Sequence, residues 1–327
     1  MQLIDNYQRR FKYLRLSITE VCNFQCQYCL PNGYHPTPTD SQSKFLTLNE
    51  IAQIVSCFAD LGVKKIRLTG GEPTLRRDFI DILSLIHADS RIKIKALTTN
   101  GFRLLKYVSE WQQAGLTALN VSVDSLSSET FKLITGQDRL REILAGIDKA
   151  LTVGLQSVKI NTVLLKGLNN QLTDYLQWIK FRPIELRFIE LMETGMGYNL
   201  FDRMHMSGQS LEQELIKKGW QLQAKDEVAG AAKVYAHSDY QGKIGLIMPY
   251  SKGFCQTCNR LRISATGKIH FCLFGENGID LRDVLQSPEQ KDALKSRILA
   301  GLATKPEHHF LQQHQTGLAN TLSYLGG

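Results

Sequence analysis

Lys12-Tyr-Leu-Arg-Leu-Ser-Ile18 alternates and is rich in strand formers, and it leads straight into Glu20-Val-Cys-Asn-Phe-Gln-Cys-Gln-Tyr-Cys-Leu30. The first segment predicts a strand that delivers the second, a cysteine loop, at its C-terminal end. Cys22, Cys26 and Cys29 are spaced by four and three, so a short loop can turn all three thiols onto one centre. The count is informative. A structural zinc site normally closes with four protein ligands, whereas a 4Fe-4S cubane held by three cysteines keeps one iron open for a small molecule. Tyr28, just before the last cysteine, can lie beside whatever that iron binds. Three cysteines alone also fit a zinc knob or ordinary buried thiols, so the rest of the chain has to decide.

The surrounding pattern repeats. Thr47 and Glu50 form a capping box before the periodic run Ile51 to Leu61. Val63 to Thr69 reads as a strand running into the turn Gly70-Gly71-Glu72-Pro73. Further strands fall near 92–98, 117–123, 157–163 and 184–191, divided by helical patterns near 77–88, 103–114, 138–153 and 171–180. Six strand signals separated by helix-length segments predict an α/β fold of parallel βα units, an incomplete six-unit barrel related to the TIM type. Several strands are apolar at adjacent positions, as expected where both faces are covered, and chemistry is expected on the loops at the strand C-terminal ends. The pattern breaks at Gly195-Met196-Gly197. Residues 1–195 are therefore expected to form the partial barrel and 196–327 a smaller C-terminal domain.

Lysine and arginine exceed aspartate and glutamate by 39 to 31, a formal charge of +8, which favours an anionic ligand. Basic residues never run longer than a pair and are not interleaved with aromatics, so a nucleic-acid groove is not indicated. A polyphosphate substrate explains the excess more economically. No apolar run reaches membrane-spanning length and the N-terminus lacks a signal-peptide core, which predicts a cytoplasmic protein with no membrane partner. Six of the seven cysteines fall in two tight triplets, which suits metal ligation in a reducing compartment. Cys57, inside an apolar helical pattern, reads as a buried small residue.

The second triplet is Cys255, Cys258 and Cys272, with Asn259-Arg260-Leu261-Arg262 directly after the pair. With His270 as a fourth ligand it could be a zinc ribbon. Arg260 and Arg262, however, share one face of an extended segment and could hold an anion against an open iron. The Cys-x3-Cys-x2-Cys loop resembles that of the radical S-adenosylmethionine (SAM) superfamily. Gly253 to Arg262, Gly267 to Phe274 and the terminal Tyr324-Leu-Gly-Gly327 are similar to the GTP 3′,8-cyclase family of molybdenum cofactor biosynthesis within it.

That resemblance implies two 4Fe-4S clusters, one held by Cys22, Cys26 and Cys29 and one by Cys255, Cys258 and Cys272. It implies SAM contacts at Tyr28, Gly71, Ser122 and Met192, and GTP contacts at Arg15, Arg67, Thr98, Lys159, Arg260, Leu261 and Arg262. Three charges on separate predicted strands are costly inside a barrel unless an anion meets them, which a triphosphate does. Arg76, Arg77 and Asn161 could add ligand contacts or be ordinary polar residues at element ends. The implied reaction removes the ribose 3′ hydrogen of GTP with the adenosyl radical and joins C3′ to C8 of the guanine, which the second cluster holds in place. The family's diglycine tail, here Gly326 and Gly327, reaches the active site. A low-potential electron donor and the downstream cyclic pyranopterin monophosphate synthase are the implied partners, and a homodimer is compatible with the sequence. Two rivals remain at this point: a peptide-maturing radical SAM enzyme with an auxiliary cluster, and a zinc-bearing nucleic-acid-binding protein.

Overall fold

The computed structural model describes residues 2–35, 44–195, 198–275, 278–317 and 324–325. Six strands appear in chain order: β1 (Tyr13–Ser17), β2 (Lys65–Thr69), β3 (Ile94–Thr99), β4 (Ala118–Ser122), β5 (Ser157–Leu164) and β6 (Glu185–Glu190). Each pairs in parallel with the next. The crossovers carry α1 (Leu48–Asp60), α2 (Phe79–Ala88), α3 (Leu104–Gln113), then α4 (Ser128–Thr135) with α5 (Leu140–Thr152), then α6 (Leu172–Ile179). Helix α1 starts where the sequence says: Thr47 accepts from the Glu50 N–H while the Glu50 carboxylate accepts from the Thr47 N–H at 2.8 Å. Helix α4 was not anticipated; its signal is an eight-residue pattern capped by Ser127.

Beyond β6 come α7 (Tyr198–Met204), α8 (Gln209–Lys217), β7 (Gln221–Leu222), β8 (Lys233–Ala236), β9 (Lys243–Ile247), β10 (Arg260–Ile263), β11 (Lys268–His270), β12 (Ile279–Asp280) and α9 (Lys291–Ala303). These strands join the first six. β9 pairs in parallel with β6 at one edge, and β10 in parallel with β1 at the other. The result is one open twelve-stranded sheet, ordered β12-β11-β10-β1-β2-β3-β4-β5-β6-β9-β8-β7. Arg282 reaches the α1 cap, its Nε 3.0 Å from Glu50, and so fastens the C-terminal segment to the first crossover.

The period-two alternation of the strands divides their faces. Leu14, Leu16, Ile66, Leu68, Leu97, Leu119, Val121, Val158, Ile160, Leu186 and Phe188 are all buried in the main core. Arg15, Arg67, Asn120, Lys159, Arg187 and Arg262, on the opposite parity, line cavities instead. The expectation of strands apolar on both faces is therefore corrected. A barrel that holds a ligand rather than layers of aliphatic side chains has a polar inner wall. The cavity-lining cations accordingly sit within the strands, not on the loops after them.

Candidate functional site

The first cysteine loop is held by backbone. The Gly71 N–H donates to the Thr19 carbonyl at 2.9 Å, and the Glu72 N–H to the Val21 carbonyl at 2.8 Å. This close approach requires glycine. A Cβ at Gly70, whose φ is 138°, would lie 2.1 Å from the Thr19 oxygen, and one at Gly71 2.3 Å from that of Val21. Glu72 is fully buried and accepts from Thr74, Thr99 and the Asn100 N–H, so it braces the turn. At the loop's far side the Gln25 and Gln27 N–H groups donate to the Thr135 and Ile134 carbonyls at the end of α4.

Cys22, Cys26 and Cys29 line one cavity with Tyr28, Gly71, Ser122 and Met192, so the residues expected around SAM converge, and Thr98, expected as a GTP contact, lines this cavity too. Asp124, to which the sequence reading gave no role, joins them. Its carboxylate accepts the Tyr28 hydroxyl at 2.7 Å and the Val163 N–H at 2.9 Å, and burial pushes it up to about 6. Burial also raises the Cys22 thiol to about 11 and the Cys26 thiol well above its usual value. Iron would have to displace those protons on ligation.

Cys255 and Cys258 precede β10, and Cys272 follows β11. All three line a cavity with Tyr13, Arg15, Asn120, Asn161, Arg187, Arg260 and Arg262. Although burial opposes it, Arg260 and then Lys305 bring the Cys258 thiol down to about 6. Cubane irons bind separate cysteines. Among the described residues no trio of side chains is set to chelate a single metal ion. His270 is buried with Nε2 unpartnered among those residues, its ring edge-on to Tyr324 at 5.7 Å.

Parallel pairing puts Arg262 beside Arg15 and Arg15 beside Arg67, a row of three guanidiniums across adjacent strands. Strands lie about 4.8 Å apart, and like charges directly opposite destabilise a sheet. Burial, then Arg262, Arg67 and Arg260, brings the Arg15 guanidinium down to about 9 against the pull of Tyr13. Among the described residues the buried Nε atoms of Arg260 and Arg262 and the Oδ1 atoms of Asn120 and Asn161 have no hydrogen-bond partner. The guanidinium donors call for an anionic acceptor, and the amide oxygens for a ligand N–H or O–H donor.

Other expected contacts are engaged within the protein. Arg67 donates to Tyr13, the Leu97 carbonyl and Thr98, and Lys159 pairs with Glu185 at 2.6 Å. Leu261 turns its side chain into the core, so only its main chain could meet a substrate. Arg76 is occupied by Asp78 and the Ile18 and Leu46 carbonyls, a structural assignment. Asn161 lines both cavities, as do Ile189 and Met192, so the two chambers share a wall. Tyr324 and Leu325 pack with Phe274 and Leu311 against Cys29, Met192 and Cys272. Gly326 and Gly327 lie outside the described residues.

Arg9 is a further residue that the sequence reading missed. It is paired with Asp5 at 2.6 Å and donates to the carbonyls of Cys255, Pro306 and Glu307. Arg9→Ala would strand the buried Asp5 carboxylate, a loss of about 3–5 kcal/mol, and release the main chain behind Cys255. Iron per chain should fall by about half after gel filtration as the second group loosens, while the first stays loaded.

Residues 16–179 match the Radical SAM superfamily, and the chain belongs to that superfamily. Residues 184–311 match Molybdenum Cofactor Synthesis C. The two domains together make this a radical SAM protein of molybdenum cofactor synthesis. Among solved structures, Streptococcus suis SuiB bound to S-adenosylmethionine is similar at a TM-score of 0.64 and 13% identity, over 90% of this chain and 68% of that one. SuiB bound to its precursor peptide SuiA is similar at 0.60 and 15%, over 97% and 75%. At such identities the likeness bears on the fold, an α/β sheet of parallel strands of the radical SAM kind. Superfamily membership implies SAM and a 4Fe-4S cluster. Among the described residues no helix is long and apolar enough to cross a membrane.

Proposed function

We infer that this protein is a GTP 3′,8-cyclase, catalysing the first step of molybdenum cofactor biosynthesis. The observation that carries the reading is the shared wall of two chambers, one lined by the first three thiols and the other by the second three with unpartnered arginine donors. The bound cofactors, SAM with the first cluster, supply the radical that takes the ribose 3′ hydrogen. Tyr28, fixed by Asp124, and the Gly71 backbone orient SAM, with Ser122 and Met192 completing its chamber. Arg15, Arg67, Lys159, Arg260 and Arg262 bind the triphosphate, and Thr98 helps set the nucleotide's depth. Cys255, Cys258 and Cys272 would hold a second cluster with an open iron for the guanine edge. With C3′ held against C8, catalysis rests on positioning and on exclusion of water. Residues 1–195 thus serve SAM and share the triphosphate with 196–327, which also takes the nucleobase. An external low-potential donor supplies the electrons, and the product passes to cyclic pyranopterin monophosphate synthase.

Anaerobic incubation with SAM, dithionite and GTP tests the reading. It should yield 5′-deoxyadenosine together with a cyclised nucleotide. 5′-Deoxyadenosine without the nucleotide product would point to a different radical SAM reaction. Extending the chain beyond Gly327 should suppress product at least about tenfold with both clusters retained, because Tyr324 and Leu325 pack in one cluster with Cys29 and Cys272; that step is about 1.4 kcal/mol. Unchanged turnover in the extended protein would remove the tail from the mechanism.

A further inference from the structure

Tyr13 is enclosed by cations. It is 3% exposed, its hydroxyl receives the Arg67 Nε–H at 2.5 Å, and the Lys65 ammonium stands 4.6 Å from its ring centroid. From β1 the next inward residue is Arg15, and from β10 Arg260 lies in register with Tyr13 and Arg262 with Arg15. On β5 and β6 stand Lys159 and Arg187, but the carboxylate beside them, Glu185, is already bonded to both. Buried cations without counter-charge are costly. Asp226 and Glu307 border the same cavities from exposed positions, and the Cys258 and Cys272 thiols stand beside Arg260 and Arg262; among the described groups it is the Tyr13 hydroxyl that is buried, hydrogen-bonded to Arg67 and able to become an anion there.

We propose that Tyr13 serves as the counter-anion of the inner cation cluster until a nucleoside triphosphate binds, and that binding then transfers one proton from solvent to its phenolate oxygen. An O–H bond forms at Tyr13 and no electrons move; the incoming phosphate takes over the guanidiniums, and the phenol hydroxyl becomes a donor to it. The electrostatics agree. Burial alone would raise this phenol, yet Arg67, then Arg15 and Lys65, bring it down to about 6. Once phosphate oxygens neutralise those cations, burial prevails and the proton is retained.

The inference rests on the triphosphate reading of the site, and its test separates the two. Titration calorimetry on anaerobic holoenzyme, in buffers of different ionisation enthalpy, counts protons taken up with GTP, inorganic tripolyphosphate or guanosine. Wild type should take up about one proton more than Tyr13→Phe with either polyphosphate, and none with guanosine. Between about pH 7 and 9 its affinity should weaken roughly tenfold per pH unit relative to that variant, because the bound form holds the extra proton. Tripolyphosphate binding with this uptake but no GTP binding would sink the cyclase reading and leave Tyr13's role standing. Equal proton counts in both proteins, or no binding of either polyphosphate, overturn it. Should Tyr13→Phe not fold, carbon-13 at the tyrosine ζ position in wild type decides. One of the eleven tyrosines must lose a phenolate signal on adding tripolyphosphate, and an unchanged spectrum overturns the assignment.

Discussion

Cys26→Ala protein purified without oxygen is expected to carry about four irons where the wild type carries about eight, and to release no 5′-deoxyadenosine from SAM. The turn around this residue is a backbone structure: the Cys26 carbonyl accepts the N–H groups of Cys29 and Leu30, both at 2.9 Å. The substitution removes the thiol and spares the turn, so folding and the second group should survive. Cys26 packs against the main core, and among the described residues the chamber offers no further thiol beyond Cys22 and Cys29 to replace it. Disturbing a group behind a metal ligand costs roughly 10- to 100-fold; losing a ligand should exceed that. Iron and stoichiometric SAM cleavage, measured on one preparation, check it. Full iron content with normal cleavage would remove Cys26 from the ligand set.

Arg262→Leu should weaken GTP binding by on the order of 100-fold, or about 2–3 kcal/mol, the cost of deleting one partner from a buried charge-assisted contact. The same change should leave the melting temperature without nucleotide unchanged or raised. Arg262 is 7% exposed, faces Arg15 across the strand pair and has an unpartnered Nε among the described residues. Its removal relieves repulsion from Arg260 and Arg15, which offsets the lost attraction to the Cys258 and Cys272 thiols. Arg67→Leu is the contrast, because Arg67 bonds Tyr13, the Leu97 carbonyl and Thr98, so stability and binding should fall together. Equilibrium binding and calorimetric melting separate these effects. An Arg262→Leu protein that binds GTP normally, or melts well below wild type, would show Arg262 to be structural.

Local signals carried much of the architecture. The Thr47–Glu50 box, the loop spacing and the six strands are all written in neighbouring residues, and each strand formed within a few residues of its expected place. What neighbours do not encode is which distant strand fills an edge. β10 joins β1 across more than two hundred residues, so the alignment of Arg262 with Arg15 could not be read from spacing. The charges at Arg15, Arg67 and Lys159 could be picked out as cations needing an inward partner, but the matching inward positions Tyr13, Lys65 and Arg187 needed the strand faces to be fixed. Arg9 was invisible for the same reason, since its acceptors Cys255, Pro306 and Glu307 lie far along the chain. Asp124 lies two residues after Ser122, yet only its contact with Tyr28 gives it a role.

The most direct test follows a single hydrogen. GTP carrying deuterium at the ribose 3′ carbon, turned over once without oxygen in the presence of SAM and a low-potential reductant, should transfer that deuterium to 5′-deoxyadenosine, seen by mass spectrometry beside a cyclised nucleotide. Unlabelled 5′-deoxyadenosine accompanied by intact deuterated GTP would contradict the account of two thiol-lined chambers meeting on one nucleotide.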